Sequence, residues 1–161
     1  MWPFKKNISH EEAQQRNKPS SLSLRRQLID EAHRQWAEGQ DEPVVSLEDF
    51  FTGNEDAGTI GANLNPPPGP HLFYESLKDI RSRPEVQDIL VEIRETMEDD
   101  PDPSMWPFPD QIYILTSASC EEVTQWLAPL QPDEVDSTHI NKRVQTMKFP
   151  DNVKPYRVWW D

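Results

Sequence analysis

Cysteine is all but missing from this sequence: Cys120 stands alone among 161 residues, so no internal disulfide can form. That fits a reducing compartment, and a cytoplasmic location is expected. There is no run of eighteen apolar residues to span a bilayer. The opening Met1-Trp2-Pro3-Phe4-Lys5-Lys6 leads into polar residues rather than the apolar segment of a secretory signal. Glycine is scarce, with five in all, and Gly58-Thr59-Ile60-Gly61 lacks both the length and the lysine of a phosphate-cradling loop. The four histidines, His10, His33, His71 and His139, include no i, i+4 pair and read as solvent-facing, so no metal site is implied. No nucleophile elbow accompanies Ser117 or Ser119, which read as turn and helix-cap serines. With no catalytic motif and no cofactor signature, the sequence leans away from an enzyme.

Negative charge is abundant. Twenty-nine acidic residues oppose sixteen basic ones, for a net charge of −13. The imbalance is uneven, because residues 1–40 carry +2 and residues 41–161 carry −15. A field of that sign repels phosphate backbones and steers a cationic protein inward, so a basic protein is the expected partner and nucleic acid is not. Solubility alone is the competing explanation of the charge. Sixteen prolines, with 35% apolar residues and a mean hydropathy of −0.82, predict that part of the length stays outside a packed core.

The helical signals come first along the chain. Ser9 with Glu12 forms a capping box, predicting a short helix over 10–17. A stronger helix is predicted over 21–38, where Leu24, Leu28, Ile29, Ala32 and Trp36 repeat at helical spacing before Gly39. Its stripe must pack on the main domain, on a second copy or on a partner. Residues 40–43 read as a linker, dividing a helical arm (1–43) from an acidic domain (44–161).

Within that domain Ser46 opens a short helix carrying Leu47, Phe50 and Phe51, and Thr59 to Leu64 reads as a strand. A helix follows from His71 to Arg83, stopped by Pro84. Residues 85–97 fit either a helical stripe or an alternating strand; β-branched enrichment favours strand. Gln111 to Ser117 is the clearest strand, Ser119 opens a helix, 133–152 read as irregular, and Tyr156 to Trp160 form a last strand. The resulting β-α-β-β-α-β order predicts an α+β ferredoxin-like fold, a four-stranded antiparallel sheet with two helices on one face and the other face open.

Between the two middle strands lies a long acidic, proline-rich loop, residues 98–109. Its run Glu98, Asp99, Asp100 and Asp102 does not match a twelve-residue calcium loop and reads as solvated charge. Trp106 and Phe108 sit among its prolines, and Trp159 and Trp160 place one ring on each sheet face. An aromatic ring beside carboxylates anchors a partner's Arg or Lys, so these eight residues form the candidate partner-binding set. The competing reading folds Trp106 and Phe108 back onto the core edge. The echo of Met1-Trp2-Pro3-Phe4 in Met105-Trp106-Pro107-Phe108 has no structural period behind it and reads as chance.

The stretch from Val44 to Leu64, Trp106-Pro107-Phe108, the run Tyr113 to Ser119 and the terminal Tyr156 to Asp161 resemble small uncharacterised bacterial proteins across about three quarters of the chain. The resemblance implies no activity and favours a boundary near Val44. Three functions remain in play. The first is a non-catalytic binding module for a basic protein, in the manner of an immunity protein or inhibitor. The second is a small-ligand binder or enzyme using the open sheet face and the 98–109 loop. The third is an assembly subunit forming a homodimer through the edge strand near Tyr156 or the helix at 21–38.

Overall fold

A computed structural model describes residues 18–39 and 41–161, and the helix expected over 10–17 lies outside the described residues. Helix α1 (Ser21–Ala37) forms as its periodicity predicts, with the Ser20 hydroxyl accepting from the Ser23 N–H at its start. Gly39, at φ +72°, terminates it in the left-handed conformation that glycine alone adopts without strain. Leu28, Ile29 and Ala32 are buried, and Leu24 and Trp36 pack against the main core. The stripe therefore packs on the chain's own sheet, and α1 shares one core with the residues after 44.

The remaining elements run β1 (Val44–Ser46), α2 (Leu47–Phe51), α3 (Gly69–Arg81), β2 (Val86–Glu95), β3 (Phe108–Thr116), α4 (Cys120–Leu127), β4 (Glu134–Asp136), α5 (Lys142–Gln145) and β5 (Lys154–Trp159). Residues 86–95 settle as strand: Ile89, Val91 and Ile93 enter the main core, while Leu90 joins a cluster on the opposite face. Ser119 closes a complete capping box with Glu122 at the start of α4, as its position suggests.

The architecture is α+β, with five antiparallel strands in the order β1-β2-β3-β5-β4. This corrects the ferredoxin-like expectation of four strands in three ways. First, residues 59–64 form turns instead of a strand. The Thr59 hydroxyl accepts from Asn54 Nδ2 at 3.1 Å and donates to the Asp56 carbonyl at 2.8 Å, local bonds that compete with a ladder. Gly61 adopts φ +62° so tightly against Phe73 that a Cβ would lie 2.7 Å from the ring. One edge is instead the short β1, whose two valines sit directly before a helix cap, and the other is β4, so the strand carrying Tyr156 is an inner strand and not the edge expected. Second, residues 133–152 are not irregular throughout, since they contain β4 and α5. Third, the second face is not open: Val44, Leu90, Tyr113, Leu115, Val144 and Val153 cluster there, with Ile140 and Phe149 packed against them.

Strand β1 lies at the sheet edge, where an unpaired backbone invites another strand. Gln35 of α1 occupies that position. Its side-chain amide donates to the Val44 carbonyl and accepts from the Val44 N–H, both at 2.9 Å, and the residue is buried. One glutamine thus substitutes for a pairing strand. Gln35→Ala leaves both backbone groups without this partner, and about 1–3 kcal/mol of stability should be lost in urea unfolding. Sedimentation should show whether the uncovered edge also self-associates.

Candidate functional site

The eight residues singled out in the sequence do not form one surface. Trp106 is sealed inside, 2% exposed, with its Nε1 donating to the Phe50 carbonyl at 2.8 Å and its backbone N–H donating to Asp56 Oδ2 at 3.0 Å. It is a core residue and no anchor for a partner, as the competing reading of its proline-flanked position held. Phe108 takes the other course: it begins β3 with 36% of its surface exposed.

The acidic loop is fastened to α1 rather than projecting freely. Arg25, itself buried, donates from Nε to the Met105 carbonyl at 2.6 Å and from Nη2 to the Met97 carbonyl at 2.9 Å. Glu98 meets His33 Nε2 at 2.5 Å, and that hydrogen bond holds its carboxyl below the usual carboxylate range. Asp100 accepts from the Asp102 N–H, and Asp102 from the Ser104 N–H and hydroxyl, so both carboxylates build turns. Asp99 is exposed and, among the described residues, is the one of the four whose carboxyl enters no hydrogen bond or ion pair. His33, Trp36 and residues 94–101 flank a wide groove of about 620 Å³ here.

A second concavity brings Phe108 and Trp160 together. Phe108, Ile112 and Trp160 line a cleft of about 220 Å³ with the turn at residues 58–62, and Asp110 and Asp161 line it as well. Trp160 is held rigidly, its Nε1 donating to the Leu130 carbonyl at 2.7 Å and its ring meeting Phe73 edge-on at 5.2 Å. Trp159 points to the other sheet face and takes no part. Its neighbour Arg157 pairs there with Glu134 and Asp136, and that hydrogen bonding draws the Asp136 carboxyl well below its ordinary value.

Asp110 was missed from sequence, although a signal existed. Ile93 pairs with Pro109 and Glu92 with Gln111, so Asp110 is skipped in the ladder. This is a β-bulge, and a proline inside a strand run marks one. Asp110 has a weak ionic neighbour in Arg94 at 3.7 Å.

One buried carboxylate lies on the second face. Glu92, 3% exposed, accepts from the Tyr113 hydroxyl at 2.7 Å, Asn141 Nδ2 at 2.8 Å and Gln111 Nε2 at 3.1 Å. Burial pushes its carboxyl above the usual range, against the donors from Tyr113 and Asn141, and nearby Asp110 adds to the rise. It is enclosed by these side chains and holds the 140–153 segment on the sheet through Asn141. Because the folded value is raised, Glu92 contributes stability that is present below its unfolded value, about 4.3, and is lost as pH rises through the folded value. Between pH 4 and 8, wild-type unfolding free energy should therefore fall relative to Glu92→Gln, as measured by urea titration at each pH.

The family description "Uncharacterized protein YfbO family" matches residues 23–159, nearly every described element. The chain belongs to the YfbO family. It is 40% identical over 126 residues to the uncharacterized protein YfbO of Escherichia coli (strain K12), covering 74% of this chain and 83% of that protein. The resemblance to small uncharacterised bacterial proteins is thereby borne out. No solved structure matches. The YfbO match begins inside α1 rather than at β1, and it takes in the turn at 58–62 and the bulge at 108–112, with Trp160 and Asp161 just past its end. No helix among the described residues is long and apolar enough to cross a membrane.

Proposed function

We propose that this protein is a non-catalytic binding module that engages a basic protein partner through its acidic surface and the cleft at Phe108 and Trp160. One observation carries the reading: in a chain of net charge −13, two partly accessible aromatic rings, Phe108 and Trp160, line a cleft together with the exposed Asp161. Negative potential steers a cationic partner, and an apolar recess beside a carboxylate gives it a place to anchor. Inhibition or neutralisation of a cationic toxin or nuclease is the concrete form this takes. The acidic loop contributes field rather than contacts, since Glu98, Asp100 and Asp102 are engaged by the chain itself.

The test is retention of proteins from a native extract on the immobilised chain at low salt, beside a Phe108→Ala chain as control. Basic proteins should be held by the wild type, released by salt and held weakly by the variant. Retention of the same proteins by both chains, indifferent to salt, would contradict the reading.

A further inference from the structure

We infer that the cleft takes a single arginine side chain from the partner, an inference that rests on the binding reading above and specifies its anchor. Four features point to a guanidinium. The cleft, at about 220 Å³, is smaller than the roughly 300–1,000 Å³ that drug-sized ligands occupy, so it suits one side chain. Its walls include the exposed Phe108 ring and the indole of Trp160, already fixed by Leu130 and Phe73. Asp161, an exposed acidic residue, is in its lining, whereas the Asp110 carboxyl faces Glu92 and Arg94 on the other side of the sheet. Its apolar floor, Ile60 and Ile112, penalises a strongly hydrated ion.

Those features separate the two basic side chains. A lysine ammonium is a compact, heavily hydrated charge and loses much of that hydration between apolar walls. A guanidinium is more weakly hydrated, stacks flat on an aromatic face and offers paired N–H donors to a carboxylate. A second copy of this chain is a poor occupant, because two bodies of charge −13 repel each other.

The experiment uses the full chain and three short peptides identical except for a central arginine, lysine or citrulline. Binding is followed by calorimetry and by the indole N–H signal of Trp160, assigned with Trp160→Phe. The arginine peptide should shift the Trp160 indole and the Gly61 amide, and should bind about tenfold more tightly than the lysine peptide, a difference of ~1.4 kcal/mol. The citrulline peptide, neutral but of the same shape, should bind more weakly still. Asp161→Asn should weaken the arginine peptide, and Ala62→Phe, which fills the cleft from an exposed turn position, should abolish its binding. Equal affinity for arginine and citrulline, or shifts confined to the groove at residues 94–101, would overturn the inference. If the lysine peptide binds the cleft as tightly as the arginine peptide, the arginine anchor fails while the binding reading stands; if no cationic protein or peptide binds at all, both fail.

Discussion

Trp106→Ala should lower the unfolding free energy by about 3–5 kcal/mol, the largest single effect expected in this chain. The indole is among the largest fully buried side chains, and it lies where the acidic loop returns to the sheet. Its removal leaves a cavity under α2 and strips the Phe50 carbonyl of its donor. A typical domain is stable by only about 5–15 kcal/mol, so the loss is a large fraction of the whole. Trp106→Phe separates the two terms. The smaller ring keeps much of the packing but cannot donate to Phe50, and about 1–3 kcal/mol should be lost. Equilibrium unfolding in urea measures both. A near-neutral Trp106→Ala would mean that the ring is not in the core.

Arg25→Met should cost about 3–5 kcal/mol, nearly as much, by a different route. Methionine preserves most of the apolar stem packed under the loop, so the change isolates the guanidinium's two hydrogen bonds. Hydrogen bonds to charged groups contribute roughly 1.5–3 kcal/mol each, and both acceptors are carbonyls at the ends of one loop. One of them belongs to Met97, whose φ of +55° is unfavourable for a side-chain-bearing residue and must be held from outside. Without Arg25, residues 97–105 should open locally before the sheet unfolds. Limited proteolysis should then cut within that segment in Arg25→Met at protease levels that leave wild type intact, and amide exchange should rise there first.

The sequence made α1 and α4 legible because each carried two agreeing signals, while the four-residue α5 lay in a stretch that reads as irregular. Ser20 and Gly39 bracket the stripe of α1, and Ser119 with Glu122 opens α4 above Val123 and Leu127. Strands β2 and β3 could be read from β-branched alternation and from apolar residues on both faces. What failed was short and context-dependent. Three-residue β1 and β4 have no periodicity to detect, and each exists because a longer neighbour offers it a ladder. Thr59 to Leu64 has strand-like composition, but the close approach of Gly61 to Phe73 and the bonds of Thr59 override it. The face expected to be open is covered because Ile140, Val144, Phe149 and Val153, in a stretch that reads as irregular, pack on it.

The candidate site was legible in type and only partly in place. Of the aromatic residues singled out, Phe108 and Trp160 line one recess, with Asp161, while Trp106 is in the core away from the 98–102 run. Prolines hold both Trp106 and Phe108 in extended backbone, and extension alternates side chains. Two residues apart in a straight strand would share a face. Here Trp106 precedes β3 and turns inward to Phe50, while Phe108 begins the strand and lines the cleft, a distinction that depends on α2 and not on local sequence.

The most direct measurement is the association rate of an arginine-bearing peptide with the full chain, followed through Trp160 at rising ionic strength. Electrostatic capture by an acidic chain predicts a rate that falls steeply with salt, a dissociation rate that changes little, and a weaker salt dependence in Asp161→Asn. An association rate indifferent to salt, or a salt dependence that the variant and wild type share, would contradict it.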